Sequence, residues 1–465
     1  MTAKRSILAL NICGLLLAAF FILASDASAQ SKKDAKKAKA LADKAAAAFV
    51  KRDYRIAVDG YGQAITLDSN NPDYHFWKGV GHHYLNENAL ALPELNVALE
   101  KGYKKPLEIY RIRWRVHYAN KELDPALADI KQGLILDPNN LEFLQGLGDI
   151  SYSRNNYREA VDAYQKVVLK DPGNAELYMN IARAQESLGD VDGQIAAAAE
   201  AIKRGTQSLA EAHRIMADGY RKQKKFDDAI ASYQKIILAK PDTYSAYQSI
   251  AEIYRDQNKF NEAIDISRKA LKVFPNDGRI YTDLGLFYSL AGRNDEAIQA
   301  AQAGIRFLPD EYMAYTNLCR AYNDAKKPEM AIRECNNALK RKPTDGETFF
   351  YLARAYDLTG KQSEATKFYK QAVTGLMEET KANPTQPDSF YLLGNAYRAD
   401  NQFEKAIAAY SKCLELSPKF GRARYNLAII QLLQKNKTAA LEQYNLLREF
   451  DPELAGKLKA EIDRS

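Results

Sequence analysis

The chain has 465 residues, of which 46% are hydrophobic and 27% are charged. This balance is ordinary for a folded protein, and it excludes a largely disordered chain and a polytopic membrane protein. The formal net charge of +7 is spread over so many residues that it gives no indication of nucleic-acid binding. We therefore expect no nucleic-acid partner.

The N-terminus is the strongly apolar part of the chain. Two basic residues precede the apolar stretch 7–24, and the small-residue triplet 27–29 follows it. This order is typical of a secretory signal peptide at 1–29, ahead of a basic leader at 30–37. The stretch 7–24 is also long enough to remain as a membrane anchor. The repeats would then face either the periplasm or the cytoplasm. We predict export to the periplasm, with anchoring by residues 7–24 as the alternative.

The rest of the chain repeats. Proline recurs every 34 residues, skips one position at Thr206, and resumes after a short insertion. Two amphipathic helical stretches fill each period, and one helix pair cannot bury its apolar face alone, so the pattern predicts a solenoid of stacked helix–turn–helix units. The prolines are Pro138, Pro172, Pro241, Pro275, Pro309, Pro343, Pro384, Pro418 and Pro452.

Small and aromatic residues recur at fixed positions within each period. From Tyr244 onward they are Ala251, Tyr254, Ala263 and Ala270. This pattern resembles the tetratricopeptide repeat family over about residues 38–454. The resemblance implies an all-α fold, a right-handed superhelical solenoid of about twelve helix–turn–helix repeats. The alanines at the second-helix crossing position are Ala57, Ala91, Ala126, Ala160, Ala229, Ala263, Ala297, Ala331, Ala365, Ala406 and Ala440.

The repeats divide the chain as follows. Ten repeats occupy 38–379, a kinked connection at 380–386 could separate two packed blocks, two repeats occupy 387–454, and a capping helix covers 455–465. The predicted repeats are 38–71, 72–105, 107–140, 141–174, 175–208, 210–243, 244–277, 278–311, 312–345, 346–379, 387–420 and 421–454.

A few positions depart from the repeat pattern. Trp114 stands where a small residue is expected, and His82 and His117 stand at the usual tyrosine position. Gln194 replaces the alanine at the helix crossing, so we expect a thin second helix in the fifth repeat. Close approach of two helices requires small side chains, so these repeats are expected to pack differently from the others.

Catalytic motifs are nearly absent, and we predict no enzyme and no cofactor. His75, His82 and His117 would stack on neighbouring repeats, and imidazole is a ligand for zinc and copper. No cysteine lies near them to complete a ligand set, and substituted packing positions explain the same histidines. We therefore predict no metal site.

The resemblance places Cys319 and Cys335 on the two helices of one repeat, where the helices face each other near their crossing. In an oxidising compartment these residues could form a disulfide bond. The alternative is a pair of separate buried thiols, because cysteine is an adequate small hydrophobic residue. Cys413 has no evident partner.

In this family the concave face is lined by the first helix of each repeat, and the resemblance implies that function resides there. Arginine suits bidentate pairing with carboxylates. Acidic residues lie among the arginines, so the mixed signs favour a protein or peptide partner, although a solvated groove of intrahelical pairs explains them equally well. The predicted partner-binding residues are Arg111, Arg115, Arg183, Arg214, Arg221, Arg255, Arg320, Arg354 and Arg398.

The sequence therefore predicts a non-enzymatic scaffold of a bacterial cell envelope that binds proteins or extended peptides in a concave groove. The alternative is a membrane-tethered subunit of a transport, secretion or export complex, and a membrane partner follows only if the N-terminal segment is retained. A third class, an enzyme or metal protein, rests on the histidines alone. No residue pattern selects a particular partner.

Overall fold

The structure is a computed structural model that describes residues 32–465. The predicted signal peptide or anchor at 1–29 lies outside these residues. All regular secondary structure between residues 32 and 465 is helical, without a β-strand. No helix in the described part combines the length and the apolar character needed to cross a membrane.

The described residues divide into two compact units, 32–215 and 216–465. In the described part of the first unit, α1 covers residues 32–50. It is followed by α2 (Tyr54–Leu67), α3 (Pro72–Tyr84), α4 (Asn88–Glu100), α5 (Pro106–Ala119), α6 (Leu123–Leu136), α7 (Leu141–Ser153), α8 (Tyr157–Val168), α9 (Ala175–Leu188), α10 (Val191–Lys203) and α11 (Leu209–Lys222). The division falls within α11.

The second unit continues the same alternation of helices. Its helices are α12 (Phe226–Ala239), α13 (Tyr244–Asp256), α14 (Phe260–Val273), α15 (Gly278–Leu290), α16 (Asn294–Phe307), α17 (Tyr312–Asp324), α18 (Pro328–Arg341), α19 (Gly346–Leu358), α20 (Gln362–Ala382), α21 (Pro387–Ala399), α22 (Phe403–Leu416), α23 (Gly421–Leu433), α24 (Lys437–Arg448) and α25 (Pro452–Arg464). Across residues 32–465, α1 to α24 pair as twelve hairpins, and α25 follows them.

Each hairpin turns through one residue in the left-handed backbone region. At the turn between α13 and α14, Asn258 has φ 60°. Its N–H donates to the Arg255 carbonyl at 2.9 Å, and the Lys259 N–H donates to the Tyr254 carbonyl at 2.8 Å. These are the two hydrogen bonds of a Schellman cap, which satisfies the last carbonyls of the first helix. The equivalent residues are Arg52, Asn86, Lys121, Asn155, Gly189, Lys224, Asn258, Gly292, Lys326, Gly360, Asn401 and Lys435.

The periodic prolines end the second helices. A residue that precedes proline is disfavoured in the helical region, because the proline ring clashes with its backbone. Leu308 before Pro309 accordingly has φ −139°, and Lys342 before Pro343 has φ −132°. Proline therefore sets the 34-residue spacing of the helix ends, as the sequence predicts.

The alanines predicted at the helix crossing are all fully buried, from Ala57 to Ala440. The exceptions are accommodated individually. Trp114 fits because Gly146 faces it, and a Cβ there would lie 3.1 Å from the indole ring. Gln194 is fully buried, and its Nε2 donates to the Ile215 carbonyl at 2.7 Å.

The insertion near residue 380 differs from the prediction. Helix α20 has 21 residues, against 14 in α18 and in α22, so residues 380–382 complete a longer helix. The turn is confined to residues 383–386, because Pro384 disfavours helix at Asn383. One hydrophobic core runs from Ala301 to Ile430 across this segment. The chain therefore does not break into packed blocks here, and the division between units lies in α11.

Candidate functional site

All nine predicted arginines lie on first helices of the hairpins, but most of them are already paired. In the first unit, Arg183 makes two hydrogen bonds to Glu211, at 2.9 and 2.7 Å. Arg214 makes two to Glu186, at 2.8 and 2.9 Å. Each pair joins first helices of neighbouring repeats, so these arginines neutralise carboxylates of the protein itself.

Arg111 and Arg115 share one carboxylate. Their guanidinium nitrogens lie 3.2 and 2.9 Å from the two oxygens of Glu142, which belongs to the next repeat. The predicted alternative of a groove filled with ion pairs therefore describes this part of the chain, except that the pairs connect helices rather than lie within one helix.

Three arginines of the second unit are also paired. Arg221 lies 3.2 Å from Glu252, and Arg354 lies 3.1 Å from Asp324. The Arg255 guanidinium is 2.9 Å from Asp256 on its own helix. Each of these arginines therefore already pairs with a carboxylate of the protein itself.

Arg320 and Arg398 differ from the other seven. Within residues 32–465 neither has a carboxylate oxygen within 4.0 Å. The Arg320 guanidinium lies 5.6 Å from the ring centroid of Tyr351, a cation–π contact. Arg398 lines the same cavity, together with Arg354 and Arg422. We call the cavity defined by Arg320, Arg354, Arg398 and Arg422 the arginine pocket.

Arg422 is not among the nine predicted partner-binding residues. Its guanidinium lies 5.3 Å from the Tyr391 ring centroid and 5.5 Å from that of Phe420, and no carboxylate in the described chain pairs with it. Its place as the second residue of α23 is one of the groove positions of the family pattern. Extending that pattern to the last repeat would have found it.

The arginine pocket has a volume of about 570 Å³ and a surplus of positive charge. Four arginines line it, and Asp324 is the acidic residue among the lining side chains. Asn395 lies in the same wall, where its Oδ1 accepts from the Tyr410 hydroxyl at 2.7 Å and from Asn426 Nδ2 at 2.8 Å. The pocket thus combines cationic, amide and aromatic groups, which suits an anionic group attached to a polypeptide.

Two carboxyl groups of the same unit are difficult to ionise. Burial raises the pKa of Asp283 to about 6, although a hydrogen bond from the Tyr244 hydroxyl opposes this effect. Burial also raises the pKa of Glu347 to about 7, with Arg320 opposing. Removal from water disfavours the charged carboxylate, so both groups retain a proton at higher pH than usual.

The histidines pair with carboxylates rather than with one another. The Nδ1 atoms of His75 and His82 lie 2.7 Å from Glu94 and Glu87, respectively. In the part of the chain that the structure describes, no three His, Cys, Asp or Glu side chains gather closely enough to hold a metal ion. These hydrogen bonds give the histidines a structural role.

Cys319 on α17 and Cys335 on α18 are joined by a disulfide bond, with their Cα atoms 5.3 Å apart. Both residues are fully buried. Cys413 is a buried free thiol, and burial raises its pKa well above the ordinary value. It is therefore a poor nucleophile, since the thiolate is the reactive form.

Comparison with known families agrees with this architecture. Family models described as tetratricopeptide repeat match residues 387–420 and residues 146–208, 216–266 and 249–312. The matched segments fall on helices of both units. These segments are therefore tetratricopeptide repeats.

Individual relatives share segments with the chain. The small glutamine-rich tetratricopeptide repeat-containing protein 2 of Mycosarcoma maydis is 28% identical over 158 residues, which cover 34% of this chain and 35% of that protein. A UDP-N-acetylglucosamine–peptide N-acetylglucosaminyltransferase of Giardia intestinalis is 32% identical over 83 residues, or 18% of this chain and 6% of that enzyme. The crystal structure of MamA protein has 25% identity and a TM-score of 0.33, and covers 38% of this chain and 96% of that one. The chain thus spans about a third or less of both curated relatives.

Proposed function

We propose that this protein is a non-enzymatic scaffold that binds an extended, acidic segment of a protein partner in the arginine pocket. The observation that carries the proposal is the charge of the pocket, four arginines against one carboxylate. Clustered cationic groups in a concave site favour an anionic ligand, because their fields add and the partial exclusion of water strengthens the attraction. An Asp or Glu side chain or a C-terminal carboxylate would supply the missing partner.

The groups around the arginines favour a polypeptide as the ligand. Asn395 and Asn426 offer amide groups to a peptide backbone, and Tyr351 and Tyr391 offer aromatic faces to side chains. A preformed surface with several such groups binds by multipoint recognition and loses little freedom on binding. Tetratricopeptide repeat proteins bind protein or peptide partners generally, and this pocket provides the specific site.

A second part of the proposal concerns location. The N-terminal pattern at 1–29 and the Cys319–Cys335 bond support export to an oxidising compartment such as the periplasm. We propose that the scaffold works in a bacterial cell envelope. The alternative, a membrane-tethered subunit of a transport, secretion or export complex, requires that residues 7–24 be retained.

A binding experiment tests the pocket directly. Fluorescein-labelled dodecapeptides rich in Asp and Glu, or with Gln and Asn in their place, are titrated with the full-length protein and followed by anisotropy. The acidic peptide should bind more tightly, and Arg398→Ala and Arg422→Ala should each weaken it roughly tenfold, the usual value of a charge-assisted hydrogen bond. The matched control is Arg183→Ala, whose side chain already pairs with Glu211. Equal binding of both peptides would refute the acidic-partner proposal.

Cell fractionation with intact-mass determination tests the location. A periplasmic species that begins at Gln30 supports export with cleavage. A full-length species in the membrane fraction supports the tethered alternative, and a cytosolic full-length species contradicts both.

A further inference from the structure

The turn between α13 and α14 contacts residues far along the chain in the second unit. Asn258 Nδ2 donates to the Lys419 carbonyl at 3.3 Å, across 161 residues of sequence. The Arg255 guanidinium lies 3.7 Å from Asp388, and the Arg422 guanidinium lies 5.9 Å from the Phe260 ring centroid. Most other polar contacts of this unit lie within one repeat or join neighbouring repeats, so these three form a distinct set.

These contacts complete a circuit of first helices. Helices α15, α17, α19 and α21 each pack against the next first helix, Tyr244 on α13 donates to Asp283 on α15, and Arg255 on α13 meets Asp388 on α21. A groove that is open in a regular solenoid is therefore closed along this edge. The polar links around the circuit are Tyr244 to Asp283, Ser289 to Asp324, Arg354 to Asp324, and Arg255 to Asp388.

The closing contacts and the arginine pocket share a residue. Arg422 lines the pocket and also lies over Phe260 at the closing edge. Its Nε atom is buried and has no hydrogen-bond partner. A ligand that draws this guanidinium toward a carboxylate would therefore alter its contact with Phe260.

We propose that Arg255, Asn258 and Phe260 form a clasp with Asp388, Lys419 and Arg422, which opens to admit a single extended polypeptide strand and closes over it. The inference rests on the proposed function for the identity of the ligand, but the clasp itself does not depend on it. The contacts that form the clasp are one ion pair, one hydrogen bond and one cation–π contact, all at partly exposed side chains. Such contacts are individually weak, so opening costs little.

The pocket has a volume of about 570 Å³, within the ordinary range for a ligand pocket. We assign to it a short extended segment of one polypeptide, because the arginine, amide and tyrosine side chains that line it come from several successive first helices.

Spin-label distances test the clasp without a ligand. Nitroxides are placed at Lys259→Cys and Lys419→Cys, because both lysines are exposed beside the clasp, in full-length protein that carries Cys13→Ser and Cys413→Ala so that no other free thiol is labelled. We expect one narrow, short distance distribution. Asp388→Arg should move it to longer distances, since two guanidinium groups would then face each other. The matched control, Glu442→Arg on the exposed side of α24, should leave it unchanged. A broad distribution in the parent protein, or no response to Asp388→Arg, would overturn the clasp.

Association kinetics with the acidic dodecapeptide test the role of the clasp in entry. Arg255→Gln removes a positive charge. By electrostatics alone, this loss would lower the association rate of an acidic peptide. If the clasp controls entry, the same change should accelerate association by about threefold or more, because a larger fraction of molecules is open. Arg268→Gln, an exposed arginine of the same repeat, provides the control for charge alone. Slower association in both variants would refute gated entry.

The two possible failures can be told apart. If the acidic peptide does not bind, the proposed function fails, and the distance measurement alone decides whether the clasp exists. If the peptide binds but the distances do not respond to Asp388→Arg, the proposed function stands and the clasp is wrong.

Discussion

The arginines of both units lie on first helices, but all four predicted arginines of the first unit pair with carboxylates, whereas the second unit has unpaired arginines as well as paired ones. In the first unit, Arg183 and Arg214 each hold a carboxylate of a neighbouring repeat with two hydrogen bonds. In the second, Arg320, Arg398 and Arg422 line one pocket without any such partner among the described residues. A first-unit arginine therefore contributes to the packing of repeats, whereas Arg320, Arg398 and Arg422 are the arginines that our proposal assigns to ligand binding.

One carboxyl group of each unit illustrates the effect of a partner. The Arg183 guanidinium holds the pKa of Glu211 below its usual value, whereas burial raises the pKa of Asp283 in the second unit to about 6. The partner on the neighbouring first helix accounts for the difference, since a guanidinium faces Glu211 and a tyrosine hydroxyl faces Asp283.

Removal of the disulfide bond should produce the largest difference between the units. Cys319→Ala with Cys335→Ala should destabilise the second unit by about 3 kcal/mol, because a bond across a loop of this length restricts the unfolded chain. Hydrogen exchange with mass spectrometry in increasing urea should show the change between residues 216 and 465. Residues 32–215 contain no cysteine and should not respond.

The control for the disulfide is Cys413→Ala, which removes a buried free thiol from the same unit and should cost less. If dithiothreitol left the unfolding of the parent protein unchanged, the bond would not exist in solution.

Asp283 should make the second unit more stable at acidic pH. Its pKa in the folded protein is about 6, above the ordinary 3.8, so the folded state keeps a proton that the unfolded state has released between these values. Stability should therefore fall as the pH rises from about 4 to 6. A shift of two units would correspond to about 3 kcal/mol, but Asp283 is partly exposed, so we expect Asp283→Asn to raise the unfolding free energy at pH 7.5 by about 1–2 kcal/mol.

Neutralising a carboxyl group in the first unit should change the unfolding free energy at pH 7.5 in the opposite direction. Glu211 has a lowered pKa in the folded protein. Its contribution to stability is therefore complete above the ordinary pKa of a glutamate and is lost as the pH falls through the lowered pKa. Glu211→Gln should therefore destabilise the protein at pH 7.5. Urea unfolding at pH 4.5 and 7.5 measures both variants, and shifts of the same sign would contradict the contrast between the units.

Replacing single arginines should distinguish those that stabilise the packing of repeats from those that do not. Arg183→Met should destabilise the first unit by about 1 kcal/mol, because it leaves Glu211 unpaired. Arg398→Met should change the stability of the second unit by less than about 0.5 kcal/mol, as expected for an arginine that pairs with no carboxylate. A double-mutant cycle of Arg183→Met with Glu211→Gln measures the coupling, and a coupling near zero would remove the distinction.

The hairpin turns should behave alike in the two units. Lys121 in the first unit and Lys326 in the second have φ 64° and 55°, a region that disfavours side chains with a Cβ. Lys121→Gly and Lys326→Gly should each stabilise their unit by about 0.5 kcal/mol. Different responses, measured by thermal unfolding, would show that the units differ in backbone as well as in their charged side chains.

The sequence determined the repeat because the repeat is local. The 34-residue spacing, the prolines that end helices and the alanines that permit helix crossing act within one hairpin or between neighbours, and the structure confirms them. The lengthened α20 was not foreseen, because a proline at residue 384 marks where a helix ends but not that it has continued through residue 382.

Only the tertiary structure decided which arginines are available. Whether an arginine is paired depends on the reach of a carboxylate from the neighbouring first helix, as with Arg183 and Glu211. The contact between Asn258 and Lys419 spans 161 residues and depends on the accumulated geometry of every repeat between them. Local patterns specify each hairpin, whereas small rotations summed over several hairpins decide which distant side chains meet.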